Sequence, residues 1–178
     1  MVFILGISGS PRKGSTTRTL VNTMLAACKK HGAETELLDL AETSLPFFDN
    51  RDSEDYGAEH KRVQDLLAKA DGFVIGSPEY HGSISGMLKN FLDLSDYERV
   101  LSGKPAAFCV VGGGSRGKSA LDHFLIVARA LRVWAVPHVV GTNKEDYDKD
   151  WKIASPKVIQ RIEGATHDLV RAAKALKK

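Results

Sequence analysis

Short, unbroken apolar runs alternate with stretches of helical periodicity along the whole chain. The first run, Val2-Phe3-Ile4-Leu5-Gly6-Ile7, has no polar alternation, which predicts a strand buried on both faces. Residues 15–31 then place Leu20, Val21, Met24, Leu25 and Cys28 at helical spacing, and Gly32 supplies the stop. Glu36 to Leu40 predicts a second strand. The polar stretch 41–57 follows, and its charged centre from Asp49 to Asp55 must be solvated, so it reads as a surface loop. A helix is expected over 58–70 on Val63, Leu66, Leu67 and Ala70, and a third strand over Gly72 to Gly76. The turn 77–83 leads into a helix carrying Met87, Leu88, Phe91 and Leu92. Lys104-Pro105 opens a fourth strand, Ala106 to Val111; a glycine loop and helix precede a fifth, Trp134 to Val140. Ser155 is the expected N-cap of the last helix, with Pro156 in its first turn.

Five strands alternating with five helices imply an α/β fold, a parallel sheet covered on both faces. Pro137 adds a constraint, because proline donates no ladder hydrogen bond and belongs at a sheet edge. The doubly wound order 2-1-3-4-5 places the fifth strand there. All 178 residues fit one domain of this kind.

In such a sheet the loops leaving the carboxyl ends of strands one, three and four share a rim where ligands bind. The first is Ser8-Gly9-Ser10-Pro11-Arg12-Lys13-Gly14-Ser15-Thr16-Thr17, running from strand into helix. A helix N-terminus offers unpaired amides and partial positive charge, which suit a phosphate. The hydroxyls of Ser10, Ser15, Thr16 and Thr17 add donors, and Arg12 can pair with a phosphate in bidentate fashion. Taken singly these residues also describe an ordinary turn capped by Ser15; as a cluster they favour an anion site. Lys13 and Arg18 read as surface charges. In the second loop, Ser77-Pro78-Glu79-Tyr80-His81-Gly82-Ser83, Pro78 and Gly82 set an unusual path and Tyr80 offers a flat face. A planar ring could lie there, although a plain chain reversal explains the loop equally well. His81 has no visible partner and is assigned no catalytic role.

The third loop, Gly112-Gly113-Gly114-Ser115-Arg116-Gly117-Lys118-Ser119, matches the phosphate loop G-x-x-x-x-G-K-S of nucleotide hydrolases. Gly112, Gly114 and Gly117 also satisfy G-x-G-x-x-G. A hydrolase needs a later strand ending in an acid for magnesium, and Trp134 to Val140 has none. A dinucleotide site needs an acid about twenty residues on, where Leu131-Arg132-Val133 stands. Both readings leave the first loop unexplained. The glycines read better as backbone that approaches the edge of a flat ligand.

Composition narrows the partners without changing the fold. The net charge of +3 suits anionic small molecules, but the charges form no stripe of the kind a nucleic-acid binder needs. Cys28 and Cys109 are far apart and form no CxxC pair, which fits reduced thiols in the cytoplasm. No run is long enough for a membrane span, and the apolar N-terminus lacks the basic leader of a signal peptide.

With all three loops in hand, the chain resembles the NADPH-dependent FMN reductase family, flavodoxin-like proteins that include azobenzene and quinone reductases. The resemblance covers strand one to strand five. It rests on Gly9-Ser10-Pro11-Arg12-Lys13-Gly14-Ser15 followed by Ser77-Pro78-Glu79-Tyr80-His81-Gly82-Ser83-Ile84-Ser85-Gly86-Met87-Leu88-Lys89-Asn90. It implies FMN as cofactor, with NADPH or NADH as co-substrate. By position, Ser10, Arg12, Ser15, Thr16 and Thr17 would hold the phosphate. Pro78, Glu79, Tyr80 and His81, with Gly82, would line the isoalloxazine, and Gly112, Gly113 and Gly114 would border its pyrimidine edge. No metal is implied, and no side chain is expected as an obligatory acid or base. Members often carry Asn where His81 stands and a second glycine where Lys118 stands. The expected reaction passes hydride from NADPH through FMN to a quinone, azo compound or free flavin, in ping-pong fashion at one site. Members commonly form dimers or tetramers; the helix Ala120 to Ala128, apolar on more than one face, is compatible with such contact. The rivals are a flavodoxin-type electron carrier, which resembles acidic proteins with a different phosphate loop, and the nucleotide hydrolase.

Overall fold

In the computed structural model, which describes residues 1–177, four parallel strands of seven residues form the centre. They are β1 (Val2–Ser8), β2 (Ala33–Asp39), β3 (Gly72–Pro78) and β4 (Pro105–Val111). The sheet order is β2-β1-β3-β4-β5, as the apolar pattern predicts. The fifth run departs from expectation. It breaks into β5 (Trp134–Ala135), which pairs with Pro105 and Ala106, and β6 (Val140–Thr142), which pairs with Cys109 to Val111. The break spans Pro137, which has no N–H for the ladder, so the edge position is right and the continuous strand is not.

Alternation along the strands sends side chains to two cores. Leu5, Ile7, Phe73, Ile75, Ala106 and Phe108 face α2 (Gly57–Lys69), α3 (Gly86–Leu94) and α5 (Lys118–Ala130). Ile4, Val74, Ala107 and Cys109 face α1 (Thr16–Lys30) and α6 (Pro156–Leu176). Phe108 stacks on Phe124 with ring centroids 4.6 Å apart, a contact worth about 1 kcal/mol beyond its buried area. That pair seats α5, and with it the glycine loop, on the sheet.

Smaller departures have local causes. A one-turn helix, α4 (Tyr97–Val100), follows α3, and the polar stretch contains two 3-10 turns, Leu40–Glu42 and Ser53–Tyr56. Met87, expected on the buried stripe of its helix, is 37% exposed in the first turn of α3. The Ser155 hydroxyl makes no cap hydrogen bond, and α6 opens on Pro156 instead. Both cysteines are free and buried. Burial pushes the Cys28 thiol up to about 12 and the Cys109 thiol higher still, so neither is a thiolate at neutral pH. No helix among the described residues is long and apolar enough to cross a membrane.

Candidate functional site

The carboxyl ends of β1, β3 and β4 deliver the three loops to one rim. The first is pinned at its base. The Gly9 amide donates to the Gly76 carbonyl at 2.8 Å, and the Ser85 hydroxyl donates to the Gly9 carbonyl. The Ser15 hydroxyl caps α1 by accepting from the Arg18 amide at 3.2 Å, and the Ser10 hydroxyl accepts from the Arg12 amide at 3.3 Å. Each hydroxyl therefore keeps its proton for an outside acceptor. No acid lies in the first turn of α1, so its positive end is uncompensated there. Ser8 shares the sheet face of Gly6, where a Cβ would meet Val21 and Leu25 of α1; among the described residues the buried Ser8 hydroxyl has no hydrogen-bond partner.

The other residues expected in this loop divide. Arg12 is exposed at the mouth, and Thr16 is half-buried. Thr17 is buried, with its methyl 3.3 Å from where a Cβ on Gly76 would lie. Arg18 corrects the expectation of a plain surface charge. It bridges the buried Asp39 at the end of β2, 3.3 Å away, and Glu42, 3.1 Å away, tying α1 to the neighbouring strand end. Lys13 is exposed.

The second loop is a tight reversal. Tyr80 and Ser83 exchange amide–carbonyl hydrogen bonds of 2.9 and 3.0 Å, and the two residues between them, His81 and Gly82, have φ of +50° and +76°. Positive φ at both central positions is the signature of a type I′ turn, which favours Asn-Gly. This explains why Asn suits the place of His81: the position selects for the left-handed backbone. The His81 side chain is exposed. His81→Asn is therefore expected to preserve turnover and stabilise slightly, whereas His81→Val should destabilise by about 1–2 kcal/mol. Thermal melts beside steady-state rates check this; near-total loss of turnover in His81→Asn with FMN still bound would show a chemical role instead.

The third loop folds on itself. A Cβ on Gly112 would lie 2.2 Å from the Gly117 amide nitrogen, and one on Gly117, at φ +73°, would lie 2.2 Å from Val110 Cγ1. Gly112 and Gly117 thus serve the loop's own closure, while Gly113 and Gly114 are exposed with open space beside them. Their backbone is what the loop offers to a ligand. Arg116, at φ +55°, ion-pairs with the buried Asp146, and Lys118 is exposed.

Sequence reasoning missed a fourth rim segment, residues 143–151 after β6. It encloses, with Arg12, Gly14, Thr16, Thr19, Val111 and Gly112, a cleft of about 420 Å³, to which it contributes Lys144, Tyr147 and Trp151. Its polar composition gives no motif; only its position at the carboxyl end of the last strand could have marked it. Burial pushes the Tyr147 hydroxyl up to about 12, and Thr142 Oγ1 lies 3.0 Å from it. A larger cavity of about 500 Å³ lies along α2, lined by His60, Gln64 and Arg99 among others, and touches none of the three loops.

Asp146 holds that segment to the glycine loop. Burial works to raise its carboxyl, but Arg116 and the Asn143 amide outweigh it and hold the group below the ordinary carboxylate value. A lowered folded-state value means stabilisation that is present above about pH 4 and fades as pH falls through the lowered value. Melting curves of Asp146→Asn and wild type should be separated at neutral pH and converge in acid; a pH-independent gap would contradict the assignment.

Comparisons with known proteins give the family and the fold. The sequence profile of the NADPH-dependent FMN reductase family matches residues 2–146. An FMN-dependent NADPH-azoreductase of Staphylococcus saprophyticus is 33% identical over 150 residues, covering 80% of this chain and 78% of its own. An NAD(P)H-dependent FAD/FMN reductase of Geobacillus thermodenitrificans is 30% identical, covering 98% of this chain and 95% of its own. Among solved structures, the NAD(P)H:(acceptor) oxidoreductase FerB of Paracoccus denitrificans superposes with a TM-score of 0.82 at 21% identity, covering 99% of each chain. An archaeal flavodoxin also shares the fold, with a TM-score of 0.70 at 13% identity over 98% of this chain and 99% of its own. With the three-loop rim in place and the profile running from β1 through the Asp146 segment, the chain belongs to the NADPH-dependent FMN reductase family.

Proposed function

We propose that the protein binds FMN across the three loops and uses it to pass reducing equivalents from NADPH to a quinone, an azo compound or free flavin. The observation that carries this reading is the first loop: an uncompensated helix N-terminus, two hydroxyls with free protons, an orphaned buried Ser8 hydroxyl and Arg12 at the mouth. These donors suit a dianionic phosphate. Ser10, Arg12, Ser15 and Thr16 would hold it, with Thr17 contributing from below. The turn from Pro78 to Gly82 and the free amides of Gly113 and Gly114 would support the ring.

Bound FMN supplies hydride and electron transfer; the protein binds, orients and tunes it. The exposed Tyr80 leaves the rim open to a planar substrate, and donor and acceptor would use that opening in turn. No acid–base residue is required at the ring. Initial rates with varied NADPH and quinone should give parallel double-reciprocal lines; intersecting lines would show both substrates bound together. Azo and flavin acceptors compared under the same conditions rank the natural class.

We place the protein in the cytoplasm as a homodimer or homotetramer. Support for the assembly comes from Leu125, Ile126 and Trp134, which are 50%, 67% and 63% exposed on α5 and β5. Light scattering after gel filtration checks the assembly, and a monomer at micromolar concentration would contradict it.

A further inference from the structure

α5 begins without a cap of its own. Its N-cap is Gly117, which has no side chain to offer, and its first turn contains no acid. The missing acceptor comes from another loop. Glu79 Oε1 accepts from the Ala120 amide at 3.4 Å, and Glu79 Oε2 accepts from the Ser115 hydroxyl at 3.4 Å. The Glu79 amide is itself fixed, donating to the Val111 carbonyl at 2.9 Å. One turn further along α5, His123 Nδ1 lies 2.8 Å from the Ser83 hydroxyl. Ala120 and His123 are three residues apart on one helix face, so the 77–83 turn is fastened to α5 at two points. The family resemblance implies that Glu79 lines the ring; its carboxylate also bridges the two loops.

From this geometry we infer that Glu79 is a positioning residue that locks the 77–83 turn to the glycine loop, and that its charge lowers the reduction potential of the flavin held between them. The inference rests on the FMN site proposed above. Its first half follows from capping: a carboxylate at a helix N-terminus fixes the helix relative to the loop that carries it. Its second half follows from placement. Reduction adds negative charge to the pyrimidine side of a flavin, which in the proposed site would border Gly113 and Gly114. The Glu79 carboxylate contacts Ser115, the next residue, and a like charge there opposes the reduced form.

The test uses apoprotein titrated with FMN, and the FMN-loaded protein equilibrated with a reference redox dye. Glu79→Ala removes both contacts and should weaken FMN binding about tenfold or more. Glu79→Gln keeps an acceptor for Ala120, so oxidised FMN should bind within about threefold of wild type. Without the charge, reduced FMN should gain about tenfold relative to oxidised FMN, which for a two-electron couple is a rise of about 30 mV. A residue that only steadied the fold would lower the melting temperature and leave the potential unmoved. Glu79→Gln at wild-type potential overturns the inference, as does Glu79→Ala at wild-type affinity; should Glu79→Ala not fold, Glu79→Gln decides alone. Wild-type protein that takes up no FMN overturns the functional reading itself.

Discussion

Arg12→Ala is expected to weaken FMN binding by roughly tenfold to a hundredfold, the range of a charge-assisted hydrogen bond pair lost from a phosphate. Arg12 has no carboxylate partner among the described residues, is exposed, and lines the cleft at the N-terminus of α1. Its removal therefore costs the empty protein almost nothing. Melting of the FMN-free variant should match wild type closely, while FMN added at equal concentration should raise its melting temperature less. This split separates Arg12 from Ser15, whose hydroxyl caps α1 and whose loss should lower stability by about 1 kcal/mol even without FMN. Full flavin content and unchanged affinity in Arg12→Ala would displace the phosphate from this loop.

Gly112→Ala should do more damage, and by a different route. The added methyl would stand 2.2 Å from one backbone atom of Gly117 and 2.6 Å from another, neither of which can rotate away. The 112–117 turn must open. Overpacking of this kind costs about 1–3 kcal/mol, or roughly 3 to 8 °C of melting temperature in a chain this size. The opened turn would also misplace Gly113, Gly114 and the start of α5, so FMN retention should fall together with stability. Gly113→Ala is the control: a Cβ there meets nothing within 4 Å, and the fold should be unaffected. If Gly112→Ala melted like wild type and kept its flavin, the closed turn would not be what shapes the rim.

The sheet was legible because its buried strands carry unbroken apolar runs and its helices carry periodic ones. Pro137 located the edge, since a missing donor is a local fact with a topological consequence. What it did to the strand, splitting it around residues 136–139, depended on how β4 pairs on either side and could not be read locally. At the site, the loop proposed to hold the phosphate is legible because Ser10, Arg12 and Ser15 lie within one strand-to-helix turn. The place of Glu79 in the second loop is legible, but the contact of its carboxylate with the uncapped start of α5, some forty residues away, is not. Arg18 looked like any helix-surface cation until β2 brought Asp39 beside it. Lys144, Tyr147 and Trp151 enter the cleft only because β6 ends on the same rim. The third loop is the counter-case. Its motif was legible and misleading, since Gly112 and Gly117 are small to pack on their own neighbourhood.

In the proposed ping-pong cycle the flavin would be reduced by NADPH before any acceptor arrives. Anaerobic mixing of the FMN-loaded protein with NADPH alone, followed in the visible flavin band, tests this directly. The band should bleach to completion within one turnover and return when quinone is added in a second mix. A band that stays unchanged with NADPH until quinone is also present would contradict the account.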